Sequence, residues 1–218
     1  MLGNRLFIGI YKLCNWICYF FYLNVMWIVC TLLGGVILGF TPSTIALYTV
    51  ARKTAMQEEE VPVFKTFWQT YKAEFLKANL LGGILVGVGL IWYFDLLFFR
   101  QLEGTVFTIL NLLMTIVGVV YIMLLLYIFP IYVHYDMKLF SYIKYAIAFA
   151  FLHPLNFAAM LITGLSTYYF LVYFQGFIPL FGVSLLAQLN MWLAYLSFQK
   201  VAGTYESQQK RKYEKSPA

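Results

Sequence analysis

The chain has 218 residues, 62% of them hydrophobic and only 11% charged, against roughly 25% charged in an average soluble domain. That length points to one domain, and so apolar a composition excludes an ordinary water-soluble fold. The formal net charge is +6, but the basic residues sit between apolar runs rather than along one polar face, which suits anionic lipid and not nucleic acid.

At the N-terminus Arg5 and Lys12 precede a long apolar stretch. It lacks a small-residue cleavage motif and is too long for a signal-peptide core, so it reads as an uncleaved membrane helix. Residues 13–51 form a gap of thirty-nine positions without Asp, Glu, Lys or Arg. A span is expected over about 15–33, interrupted by Gly34-Gly35, Gly39 and Thr41-Pro42. Pro42 behind Thr41 predicts an N1 proline that opens a short helix over 42–57. At about 1.5 Å per residue that helix is only ~24 Å long, either re-entrant or a sixth crossing.

Residues 62–77 predict an amphipathic helix started by Pro62, with Glu58, Glu59 and Glu60 at its positive end. Phe64, Phe67, Trp68, Tyr71 and Phe75 make one aromatic stripe, and Lys65, Lys72 and Glu74 lie off it. Such a stripe suits the headgroup layer or packing within the bundle, with a partner's groove as the alternative. Further spans are expected over 78–99, where Gly83-x-x-x-Gly87 joins Gly35-x-x-x-Gly39 as a close-packing motif, and over 105–132, with Pro130 near the end. Between Lys144 and Lys200 fifty-five residues carry no charge. A crossing takes about 20 residues, so two spans, 145–172 and 177–198, are expected as a hairpin turning at Tyr173-Phe174-Gln175-Gly176-Phe177-Ile178-Pro179. Residues 208–218 read as a polar, frayed tail. The expected fold is therefore an all-α, polytopic transmembrane helix bundle: a single domain over 1–207 with five clear spans, the short Pro-initiated helix and the amphipathic helix.

The basic residues orient it. Five fall in 52–77, two near 138 and five at the C-terminus, with Arg100 alone on the opposite side. The positive-inside rule puts the C-terminus in the cytoplasm. Five crossings give 12 basic residues inside against 3; a sixth, at 42–57, gives 14 against 1, and the count favours six.

Three stretches carry a resemblance. They are Thr41-Pro42-Ser43-Thr44-Ile45-Ala46-Leu47-Tyr48 with Ala51-Arg52-Lys53; Val63-Phe64-Lys65-Thr66-Phe67-Trp68 with Tyr71-Lys72, Phe75 and Ala78-Asn79-Leu80; and Phe129-Pro130 with His134-Tyr135-Asp136, Ala146 and Leu152-His153-Pro154. In this order and spacing the chain resembles the YesL-like family of bacterial integral membrane proteins, a domain of unknown function. It departs from the family in having Thr41-Pro42-Ser43 where Gly-Pro-Ala is expected, and its C-terminal third has only a general likeness. The resemblance implies a bacterial protein, often encoded beside sugar-importing ABC transporters and polysaccharide-degrading enzymes, with a helper role in carbohydrate uptake. It implies no catalytic residues.

Polar residues inside apolar segments are the default functional candidates. His153, Asn156, Gln188 and Asn190 are the best set, His153-Pro154 bending its helix and Gln188 or Asn190 bonding across to it; helix-to-helix glue is the plainer role. Asn24 and Asn111 read as helix-contact residues, Asp95 as an interfacial carboxylate, and His134 and Asp136 as the cytoplasmic end of a crossing. Cys14, Cys18 and Cys30 lack partners for a zinc set and read as apolar filler. There is no His-Glu-x-x-His, no Walker loop, no dinucleotide fingerprint, and Gly164-Leu165-Ser166 lacks the second glycine of a serine elbow. The expectation is a non-enzyme without cofactor or metal, partnered by the bilayer and a sugar ABC transporter. An accessory protein of the cytoplasmic membrane leads, with a small-solute transporter or channel as the alternative and a lipid-binding scaffold as a third reading.

Overall fold

In hydrocarbon every backbone N–H and C=O must find its partner within the chain, so the apolar segments have little choice but to be helical. The computed structural model describes residues 2–58 and 61–214, with side chains described over 8–58 and 61–203. Every regular element among them is helical: α1 (Leu2–Leu33), α2 (Ile37–Ala55), α3 (Val63–Arg100), α4 (Thr105–His134), α5 (Leu139–Leu152), α6 (Pro154–Tyr173), a 3-10 turn (Gln175–Phe177) and α7 (Ile178–Glu214). Five segments are long and apolar enough to cross a membrane: Ile8–Leu33, Val63–Arg100, Thr105–His134, Pro154–Tyr173 and Gln175–Gly203. Glu59, Glu60 and 215–218 lie outside the described residues; 208–214, expected to fray, has helical backbone.

Helices α1 and α2 form an antiparallel hairpin, tied at the open end by the Tyr19 hydroxyl on Thr54 Oγ1 at 2.8 Å. At its closed end Gly34 and Gly39 face each other with no room for a side chain. The turn corrects the expected helix start. Gly35 has φ 71, and Val36 sits at φ 66, ψ −65 with the Ile37 N–H donating to Gly35 O at 2.8 Å. This is a γ-turn, rare and strained at a β-branched residue. It restarts the helix at Ile37, five residues earlier than proline chemistry suggests, and leaves Pro42 inside α2. Val36 is 54% exposed and contributes little packing. Val36→Gly is therefore expected to raise the unfolding midpoint in detergent. Relief of about 1–3 kcal/mol of strain outweighs roughly 1 kcal/mol of added unfolded-state freedom; a lowered midpoint contradicts the strained turn.

Helix α2 is the centre of the bundle. Gly39, Thr41 to Tyr48, Val50 and Ala51 are buried, so the helix is enclosed from Thr41 to Ala51, while Ile37, Leu38 and Phe40 in its first turn are exposed. α1, α3, α4 and α7 all pack against it.

The amphipathic stretch and the following span are one helix, not two. α3 runs unbroken through residue 77, and at about 1.5 Å per residue reaches ~57 Å. No breaker stands at the junction, and Phe67, Tyr71, Ala78, Leu81, Gly82 and Leu85 form one buried stripe through both halves. The aromatic residues divide accordingly. Phe67 and Tyr71 are buried, Trp68 and Phe75 half-buried, and Phe64 is 57% exposed. Helix α4 returns antiparallel, with Trp92 Nε1 on Met114 O, the Tyr121 hydroxyl on Leu85 O and the Tyr132 hydroxyl on Glu74. The close-packed glycines here are Gly82, against Thr41, and Gly89, against Tyr121; Gly83 and Gly87 of the predicted motif face open space. Seven residues apart, Gly82 and Gly89 share a face that the other pair does not.

The span expected over 145–172 is broken. The ring of Pro154 pushes the preceding residue out of the α region, and His153 sits at φ −127, ψ 63. Helix α5 then lies across the ends of α4 and α7, the Tyr142 ring tilted against Tyr132 at 4.7 Å and Phe149 meeting Tyr135 and Phe198 at 6.3 and 5.2 Å. Only α6, with Pro154 at its first position, makes the crossing. The hairpin into α7 turns where expected. Within α7, Gly182 leaves helical geometry at φ 0, ψ −105, and the backbone groups freed there turn to Asn24 of α1. Its Nδ2 donates to Ile178 O and Pro179 O at 3.0 and 2.9 Å, and its Oδ1 accepts the Val183 N–H at 3.1 Å.

One end of the bundle thus gathers 56–58, 61–62, the 135–138 loop, α5 and Lys200, and the other gathers the 34–36, 101–104 and 174–177 turns. Because α2 returns the chain, Lys12 lies at the same end as Arg52. Arg100 is the one Lys or Arg at the opposite end among described side chains.

Candidate functional site

Three separate stretches deliver charged residues to the basic end. The last turns of α2 bring Arg52, the first half of α3 brings Glu74 and Lys77, and the end of α4 with the loop after it brings His134, Asp136 and Lys138. Together they line a recess of about 660 Å³. Ile45 lines it toward the bundle interior, and Tyr132 and Tyr142 form a wall.

Its fixed points are hydrogen bonds. Arg52 Nε donates to His134 Nδ1 at 3.3 Å, so that nitrogen carries no proton and the ring is the neutral tautomer with hydrogen on Nε2. The imidazole stacks on Phe198 at 4.6 Å and meets the edge of Tyr135 at 4.7 Å. Opposite, the Tyr132 hydroxyl donates to Glu74 Oε2 at 2.6 Å, a short charge-assisted bond. Tyr142 holds the loop, accepting the Met137 N–H at 3.0 Å and donating to Tyr135 O at 3.2 Å. Burial pushes the Tyr135 phenol up, keeping it neutral. Lys77, Asp136 and Lys138 are exposed, whereas Arg52 and Glu74 are half-buried. The recess is a polar bowl with a positioned guanidinium on one side and a positioned carboxylate on the other.

The residues singled out by sequence do not come together. Gln188 Nε2 donates to Ala51 O at 3.3 Å, and Asn190 Nδ2 donates to the Tyr48 hydroxyl at 3.0 Å and Leu126 O at 3.2 Å. Both therefore turn to α2 and α4 and away from His153, correcting the expected bond. Asn156 Nδ2 donates to Ser197 Oγ at 2.6 Å. His153 stacks on Phe149, and among described residues its buried Nε2 has no partner. Asn24 is the interhelical contact residue expected of it, and Asp95 is exposed.

A second cavity, about 630 Å³ and mainly apolar, opens between α4 and α6 beside the Gly182 kink, with Phe129, Leu186 and Asn190 on its walls. In the sequence Arg52, Lys77 and Lys138 look like orienting charges and nothing more, so the recess is not visible there. The available signal is that 52, 74–77 and 134–138 all flank the same side of consecutive apolar segments.

The family described as "Protein of unknown function, DUF624" matches residues 20–96, a stretch that includes Arg52, Glu74 and Lys77. Three proteins of Bacillus subtilis (strain 168) are similar over most of the chain. "Uncharacterized protein YteU" is 36% identical over 190 residues, covering 87% of this chain and 85% of that protein. "Uncharacterized protein YesV" is 36% identical over 192 residues, 88% and 92% of the two chains, and "Uncharacterized protein YesL" 30% identical over 204, 94% and 95%. No solved structure matches.

Proposed function

We propose, for a chain that belongs to the DUF624, YesL-like family, an accessory role in the bacterial cytoplasmic membrane: an interaction protein that assists a carbohydrate importer through the recess at its basic end. The observation that carries this reading is the position of α2. It fills the middle of the bundle, and the recess meets Ile45 instead of continuing between the helices. A protein built this way receives something at one face and holds it there. The recess sits where Arg52, Lys53, Lys65, Lys72, Lys77, Lys138, Lys144 and Lys200 collect, the pattern of a cytoplasmic face with both chain ends inside. The sugar-importer setting comes from the family resemblance alone.

Affinity purification of the full chain in mild detergent is expected to recover a sugar-importing ABC permease or its solute-binding component. Proteoliposomes of the purified protein are expected to move sugar no faster than empty ones. Recovery of neither component counts against the accessory role. Sugar flux above background favours the alternative, a small-solute transporter, whose structural support is the kinked α7 beside the apolar cavity, since discontinuous helices frame substrate sites in such proteins.

A further inference from the structure

We infer that the recess binds an oxyanion of the phosphate class on the free edge of the Arg52 guanidinium, an assignment that rests on the recess being the working site of the protein. Arg52 is half-buried, and its Nε is committed to His134. The imidazole is itself held between Phe198 and Tyr135. The guanidinium is thereby oriented from one side, while its two Nη groups have no hydrogen-bond or ion-pair partner among the described residues. That paired edge is the part of arginine that takes two oxygens of a phosphate or carboxylate at once.

The surrounding charge favours the more highly charged anion. Arg52, Lys77 and Lys138 face the recess against Glu74 and Asp136, three cations to two carboxylates with His134 neutral. Glu74 is engaged by Tyr132, and neither carboxylate forms an ion pair with the three cations among described residues. An arginine taken partly out of water with no counter-charge is costly, and a concave site with low-dielectric walls concentrates its field on whatever anion enters. The unpaired oxygens of Glu74 and Asp136 remain as acceptors for hydroxyl groups carried beside the phosphate. The anion has two sources of the same chemistry: the headgroup of an anionic phospholipid in the adjoining leaflet, or a soluble phosphorylated compound.

Inorganic phosphate is the probe, titrated at constant ionic strength into the full chain in a neutral detergent and read by calorimetry and by the thermal unfolding midpoint. Saturable binding is expected. Arg52→Gln should weaken it at least tenfold, about 1.4 kcal/mol, Arg52→Lys should weaken it less, and Lys144→Gln, outside the recess, should leave it unchanged. The midpoint of each variant without phosphate separates lost binding from lost folding. Repeating the titration in phosphatidylcholine nanodiscs with and without phosphatidylglycerol assigns the source. Suppression by the anionic lipid identifies the headgroup, and undiminished binding identifies a soluble ligand; both uphold the site. Absent or unsaturable binding by the wild type, or equal binding by Arg52→Gln, overturns it. Co-purification of a permease reads the accessory role independently, so either proposal can fail alone.

Discussion

Replacing Asn24 with leucine lowers the stability of the bundle by about 3 kcal/mol, more than a typical single substitution. The estimate follows from what the amide holds. Its hydrogen bonds to Ile178 O, Pro179 O and the Val183 N–H join the first helix to the last across more than 150 residues. Interhelical bonds in membranes average about 0.6 kcal/mol each, which alone amounts to roughly 2. The remainder comes from the backbone groups left behind. The kink at Gly182 has already removed their helical partners, and a buried unsatisfied group costs about 1–3 kcal/mol. The thermal midpoint in detergent is the measurement. Asn24→Asp serves as the discriminating variant: it keeps the acceptor for Val183 but sets a carboxylate oxygen against two carbonyls, so it should be no better than leucine. A midpoint within a degree or two of wild type for both would mean that the kink is satisfied some other way.

Gly39→Val should be at least as damaging. A Cβ at residue 39 would land on the Thr31 carbonyl and Cα, backbone atoms that cannot rotate aside. The α1–α2 hairpin must then splay, and splaying reaches every helix packed on α2. Overpacking commonly costs about 1–3 kcal/mol, and with rigid backbone as the obstacle the upper end or loss of folded protein is expected. Gly83→Ala is the control. It has nothing within contact distance and should be neutral or gain up to about 1 kcal/mol from helix propensity. Folded yield by size-exclusion chromatography separates the two, and equal yields would refute the close approach.

The spans at 78–99, 105–132 and 177–198 were legible because charge-free length is a property of solvent, readable without knowing any contact. The start of α2 was not, because Thr41-Pro42 carries the local signature of an N-terminus, whereas the deciding turn depends on a strained valine that no propensity favours. The break at His153-Pro154 was visible as a bend, but that α5 would lie across helix ends and α6 alone would cross depends on where α4 and α7 finish. The dispersal of the candidate set has a related cause. Gln188 and Asn190 are polar and lie on the arm facing His153, yet α2 runs past them with the Ala51 carbonyl and Tyr48 hydroxyl to satisfy. Nothing local to either arm announces that third helix. The recess was hidden by dispersal, since Arg52, Glu74 and His134 each look like an ordinary helix-end residue until the bundle closes.

The enclosure of α2 also fixes an order of events during synthesis. With Thr41, Ser43 and Thr44 on its surface and no place among the segments apolar enough to cross alone, α2 is poorly suited to meet lipid by itself. Leaving the ribosome early, it must shelter against α1 while the rest of the chain is made. The residues that complete its surroundings, Gln188 and Asn190, arrive more than 130 positions later. The second helix therefore reaches its final environment only when the last one is inserted, and a chain stopped before α7 leaves the Tyr48 hydroxyl and the Ala51 carbonyl of α2 without the partners that Asn190 and Gln188 supply.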